Sequence, residues 1–234
     1  MDAGPVSFAE QLLAEQGKIV RQRDNALLCL ARDGQVGQEH LCRMVQADQL
    51  CLETETVAYA ILLARFPSGL AADLFAGLNA ALRSVKPSLD RCARALSSPP
   101  ASALDASVDS NAFAFPRAVS WMCLHAGPAA AALALRSDFA AYARESGELL
   151  RTLISSGVEV PEEIRDHYSS PAPAELLDLA AAVVREEVVR EGDTSGHAAS
   201  VASMLLAGLD GFWRFAAGER APSAVAAVPR SQQG

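Results

Sequence analysis

Asp48, Cys51 and Glu55 recur at three- and four-residue spacing inside an apolar run, and these are the residue types that could do chemistry. Stepping by four and three from Leu41 gives Val45, Asp48, Leu52, Glu55, Tyr59, Leu62 and Phe66, one continuous face of a helix flanked by Met44 and Cys51. A buried carboxylate is costly unless it is paired or hydrogen-bonded. Two of them a helical repeat apart on a core-facing stripe therefore predict a polar pocket inside a bundle. The competing register makes Gln49, Glu53 and Glu55 a solvated face and turns Val57, Ile61 and Ala64 inward. Cys51 follows Asp48 by one helical turn and is a candidate nucleophile. A free cysteine is also among the most buried residue types, and a neighbouring carboxylate raises a thiol pKa.

The elements that position this stripe read as helices throughout. Ser7-Phe8-Ala9-Glu10 has the form of a capping box, predicting a helix from there to about Arg32, stopped by Asp33-Gly34. The stripe helix runs from about Gln38 to Phe66, and the next from Leu70 to about Val85, where Pro87 kinks it or restarts it over Leu89–Leu96. After a long loop, Ser97 to Asn111, which is either a lid or a connection, come helices over about Phe113–His125 and Ala129–Ile154. A short helix with Pro161 at its first position follows, then helices over about Pro173–Arg190 and Ser195–Ala217. The tail from Glu219 to Gly234 has no pattern and reads as disordered. No strictly alternating segment is long enough for a strand, and there is no internal repeat. The expected fold is all-α, a single-domain helical bundle over residues 1–218.

Composition narrows the partners. The chain has 234 residues, half of them hydrophobic, and a formal net charge of −8. An acidic chain lacks the basic face that nucleic acid or an anionic membrane asks for. Its lysines are Lys18 and Lys86 alone, with arginine and alanine abundant, a codon-level trait of GC-rich bacterial genomes. MDAGPVSFAEQ has neither a basic nor an apolar leader segment, and no apolar run reaches the about 18 residues of a membrane span. Cys29, Cys42, Cys51, Cys92 and Cys123 show no metal spacing and read as reduced thiols of a cytoplasmic protein. No dinucleotide, P-loop, nucleophile-elbow or zinc-protease motif occurs.

Several segments in order resemble the TenA family. In DGQVGQEHLCRMVQAD, residues Asp33, Gly34, Leu41, Val45 and Asp48 fall in step with its entry to the second helix. Ala64-Arg65-Phe66-Pro67 ends that helix in the family's manner. Ala118 to Gly127 (AVSWMCLHAG) and the closing Phe212-Trp213 are similar to further segments, so the resemblance covers about residues 8–218. It implies a heme-oxygenase-like helical bundle forming homodimers or homotetramers. The implied activity is thiaminase II hydrolysis, which needs an aspartate on the second helix, a cysteine on the central helix and a glutamate before Phe-Trp. Asp48 matches the aspartate. The cysteine falls near Ser137-Asp138-Phe139, where none stands, and the glutamate position is Leu209 with Asp210 on another face.

The expectation is therefore a TenA-like enzyme of bacterial specialised metabolism acting on a small aromatic or heterocyclic substrate, without metal or cofactor. Asp48 and Cys51 are its candidate catalytic residues. Glu55, Tyr59, Asp138, Tyr142, Leu209 and Phe212 are its candidate substrate contacts. Alternatives are a non-catalytic ligand-binding or scaffold protein on the same fold, and a di-iron oxidase. The last would draw on Asp48, Glu55, Asp138 and Glu145, but His197 and Asp210 lie roughly 20 Å apart along a straight helix, too far to share a metal site. Asp138 and Glu145 also read as solvent-facing or ion-paired with Arg136 and Arg144. Heme asks for an axial ligand, and His40, His125, His167 and His197 have no diagnostic context.

Overall fold

The helix that carries the stripe, α3 (Gln38–Arg65), runs unbroken for 28 residues. The structure is a computed structural model describing residues 5–191 and 195–219. In chain order α3 is preceded by α1 (Pro5–Gln22) and α2 (Ala26–Arg32) and followed by α4 (Gly69–Leu96), α5 (Ala114–His125) and α6 (Pro128–Ser155). The chain continues through α7 (Glu162–Tyr168), α8 (Ala174–Glu191) and α9 (Ser195–Ala216). The described residues form helices, one short 3₁₀ turn at Ala101–Ala103 and loops, with no strand among them. The all-α reading therefore holds. No helix among these residues is long and apolar enough to cross a membrane.

Burial settles the register of α3. Leu41, Val45, Leu52, Tyr59 and Leu62 are buried, as is Glu55. Val57 is 61% exposed and Ala64 is exposed, so the alternative register is excluded. Each large apolar side chain of this face contributes about 1.5–3 kcal/mol by leaving water. α3 packs on α4, α5 and α9, while α6 packs on α8 and α9, so α3, α6 and α9 enclose the core on which the site depends.

Four boundaries differ from the sequence reading. The first helix is two: α1 already begins at Pro5, so Ser7 lies within its first turn and not ahead of it, and Glu10 accepts from Arg185 Nε at 2.6 Å. α1 ends at Gln22 because Asn25 caps α2, its Oδ1 accepting from the Leu28 amide at 2.8 Å. Pro87 neither restarts nor ends its helix; it lies exposed within a continuous α4, where water can meet the carbonyl left without a donor. Pro161 sits one residue outside α7, in the capping position. The tail from residue 220 lies outside the described residues, but Glu219 is held, its carbonyl accepting from Asn111 Nδ2 at 2.9 Å.

Two glycines let α9 lie directly against the start of α5. A Cβ on Gly208 would come within 2.9 Å of Phe115 Cα, and one on Gly211 within 2.9 Å of the Asn111 carbonyl oxygen. Backbone cannot yield cheaply, so glycine's usual helix penalty is outweighed here. Gly211→Ala, which would gain about 1 kcal/mol in an exposed helix, is expected to lose about 1–3 kcal/mol through overpacking. Thermal unfolding of the variant measures the sign, and a raised Tm would show that α5 gives way freely.

Candidate functional site

Between α3, α4, α6, α7 and α9 lies a cavity of about 270 Å³, lined by Asp48, Cys51 and Glu55 of α3 and by Asp138 and Tyr142 of α6. Leu209 and Phe212 of α9 and Phe115 of α5 supply apolar wall. His167 and Tyr168 of α7 close one side, and the loop Ser170–Pro173 lies against Ser84, Val85 and Ser88 of α4 at the exposed rim. Seven of the eight residues singled out from the sequence line this cavity. Tyr59 does not: it stands behind the wall, fully buried, and donates its hydroxyl to Glu55 Oε1 at 2.5 Å.

Asp48 is the most elaborately held group. Its Oδ2 accepts from Tyr142 Oη at 2.8 Å and from Tyr168 Oη at 3.0 Å, with His167 Nε2 3.6 Å away. Tyr142 is itself fixed, stacked on Trp213 at 6.0 Å between ring centroids and set edge-on to Phe212. Burial, and then the Asp48 carboxylate, push both phenols well up, so they remain donors. The carboxylate of Asp48, in the cavity wall, is thus oriented by two rigid hydroxyls.

The other carboxyls are in drier surroundings. Burial is the main cause raising Glu55 to about 8; the Asp48 charge adds to it and the Tyr59 hydrogen bond opposes it. Asp138 is 5% exposed and its Oδ1 has no hydrogen-bond partner. Burial, then Glu55 and Glu145, push it well above the ordinary carboxylate range. At neutral pH Glu55 is thus held as a carboxylic acid, able to donate a hydrogen bond or a proton, and burial favours the neutral form of Asp138. Cys51 has the opposite fate from a nucleophile. Burial and then Glu55, Asp48 and Asp138 push its thiol well up, so it faces the cavity as a neutral group.

Asp138 and Glu145 are not on a solvent face, which corrects that part of the sequence reading, while its ion-pair alternative holds for Glu145 with Arg144. Glu145 is completely buried and pairs with Arg23 Nε at 3.0 Å and with Arg144 at 3.3 Å. Arg23 also reaches Asp210 at 2.6 Å, so it ties the α1–α2 junction to both α6 and α9. Arg136 pairs with neither carboxylate in the described ion pairs. These commitments leave His197 exposed and Asp210 turned to Arg23. Among the described residues no group of three or more His, Cys, Asp or Glu side chains is placed to hold a metal ion.

The loop from Ser97 to Asn111 is a connection and not a lid over this cavity. It is tied back to α3 by Ser98 Oγ donating to the Cys42 carbonyl at 3.1 Å and by Gln46 Nε2 donating to the Pro100 carbonyl at 3.0 Å. No residue of it lines the cavity. The site residues that sequence reasoning missed are His167 and Tyr168. Ile164 and Tyr168, four apart and both buried, mark the inner face of α7. That periodicity was the available signal, but α7 has only seven residues and its docking beside Asp48 is a tertiary fact.

No protein-family model matches the chain, and a search of the curated proteins finds no match either.

Proposed function

We propose that the chain is a TenA-like enzyme on a heme-oxygenase-like bundle that acts on a small aromatic or heterocyclic molecule by proton transfer from its own side chains. One observation carries the reading: Asp48, oriented by Tyr142 and Tyr168, stands in the wall of a largely apolar cavity of about 270 Å³. A concave apolar site with a few convergent polar groups is what a small ring-shaped ligand needs. Phe115, Phe139 and Phe212 offer ring faces, and Asp48 anchors a donor on the ligand. With the Cys51 thiol protonated and Leu209 where the thiaminase pattern has its glutamate, covalent attack by a thiolate has no support. Glu55, a neutral acid at pH 7, and Asp138, raised in the same direction by burial, are the groups suited to give and recover a proton.

The test is turnover of a panel of amino- and hydroxy-substituted heterocycles by the wild-type chain and by Asp48→Asn. Asparagine keeps a carbonyl acceptor for the tyrosines and removes the charge. The expected result is a loss in kcat/KM of roughly 10- to 100-fold, the worth of one charged hydrogen bond. Unchanged turnover would remove Asp48 from the mechanism. Tight binding of a panel compound with no turnover at all would instead assign a ligand-binding protein on the same fold.

A further inference from the structure

The cavity has a charge asymmetry that restricts what can enter it. Three carboxyl groups, Asp48, Glu55 and Asp138, stand in its wall, and no lysine or arginine does. Asp48 is satisfied by tyrosine hydroxyls and Glu55 by Tyr59. Asp138 is different: it lines the cavity, and its buried Oδ1 has no partner. An unpartnered buried acceptor costs about 1–3 kcal/mol, and nothing else in the fold uses this one. A polar ligand group is the missing partner.

Resting on the small-molecule reading above, we propose that Asp138 and Glu55 form a recognition site for a protonated nitrogen, so that the ligand is a cationic amine or amidine with an apolar aromatic body. A carboxylate, a phosphate or a sulfonate would meet only like charge or neutral acids in the wall and no basic side chain except His167. A neutral ring would leave Asp138 without its partner. A cation satisfies it, and its apolar body meets the aromatic side chains of Phe115, Phe139 and Phe212 in the wall. A metal ion is a poorer match than an organic cation, because no group of three or more His, Cys, Asp or Glu side chains converges among the described residues.

Proton balance follows from the surroundings. Around the pair, α3 places Asp48, Cys51 and Tyr59, α6 places Tyr142, and α7 places His167 and Tyr168. α4, α5 and α9 put no charged side chain into the wall. Arg23, held by Glu145, acts in the opposing direction on Asp138 but is outweighed by burial. Glu55 carries its proton at neutral pH, and burial favours the neutral form of Asp138 beside it. When a cation that is already protonated in solution binds, the pair gives up a proton to the buffer and becomes its counter-charge. Binding therefore strengthens as pH rises towards and through about 8, where Glu55 titrates.

The test is isothermal titration of the full chain with three aromatic probes of similar size: phenethylammonium, its neutral isostere 2-phenylethanol, and the anion phenylacetate. Titrations at pH 6 and pH 9, each in buffers of different ionisation heat, report proton release. The expected result is that phenethylammonium binds at least 10-fold more tightly than the alcohol and more tightly at pH 9 than at pH 6. It should release a proton at pH 6, and the anion should not bind. Asp138→Asn, which keeps size and polarity, is expected to abolish both the preference for the amine over the alcohol and the proton release that accompanies amine binding. Equal binding of amine and alcohol, or an amine preference that survives in Asp138→Asn, overturns the cation site and leaves the small-aromatic reading standing. Failure of all three probes to bind overturns both.

Discussion

Glu55→Gln is expected to flatten the dependence of stability on pH. A carboxyl near 4.5 in the unfolded chain and near 8 in the folded one binds more protons when folded. Its contribution to stability is therefore undiminished below about pH 4.5, declines as pH rises between the two values, and is fully lost above about 8. Converted at about 1.4 kcal/mol per unit, the loss is on the order of 5 kcal/mol, an upper figure for a group that can draw in water. Glutamine has the same shape, its carbonyl can still accept from Tyr59, and it has no proton to lose. Urea unfolding at pH 5 and pH 9 should show the wild-type chain markedly less stable at the higher pH. The variant should narrow that gap by several kcal/mol. A gap of the same width in both would mean that Glu55 ionises in the folded state as freely as in water.

Arg23→Met is expected to destabilise the fold by about 3–5 kcal/mol at neutral pH. Arg23 is the principal counter-charge of Glu145, which is completely buried, and removing one partner of a buried pair leaves an uncompensated charge. Arg144, at 3.3 Å, replaces it only in part. Glu145 is already raised by burial against the pull of Arg23, so losing that pull raises it further. The deficit is then largest above the raised value and shrinks as the pH falls below it, where Glu145 is neutral in the folded chain with or without Arg23. Replacing both partners, Arg23→Met with Glu145→Leu, should recover most of the loss, because a packed apolar pair carries no desolvation penalty. Chemical denaturation of the two variants decides the matter. A single variant within about 1 kcal/mol of the wild type would show that the pair contributes little beyond its packing.

The two results bear on the site from different directions. Arg23 sits outside the cavity, yet it joins α6 and α9, the helices that bring Asp138, Tyr142, Leu209 and Phe212 to one place. Glu55 sits inside it, and the energy spent on burying its carboxyl is what makes it an acid at neutral pH. Stability given up at a pocket wall in this way is a common companion of function.

The α3 stripe was legible before any fold was known. Leu41, Val45, Leu52 and Leu62 recur at helical spacing, and a carboxylate at 48 and another at 55 interrupt them on the same face. Local periodicity fixes which residues share a face, and hydrophobic burial fixes which face turns inward, so Asp48, Cys51 and Glu55 had to meet whatever the stripe enclosed. The helix order was legible for the same reason, since Gly-Pro and Pro-rich breaks punctuate periodic runs. The sequence reading placed Asp138 near the site but also allowed it a solvent face, because an isolated Arg-Ser-Asp on a helix has the pattern of a surface ion pair. Only the packing of α6 against α9 turned Asp138 inward without a partner. Arg23 was unreadable in the same way: its pairing with Glu145 spans 122 residues, and the break between α1 and α2 that frees it to turn inward rests on one asparagine cap. His167 and Tyr168 lay on a helix too short for its pattern to say where it docks. Spacing along the chain sets what a single helix can present. Which carboxyls are satisfied, which stay neutral and which are left facing an empty space depends on contacts between helices far apart in sequence, and tertiary structure alone supplies those.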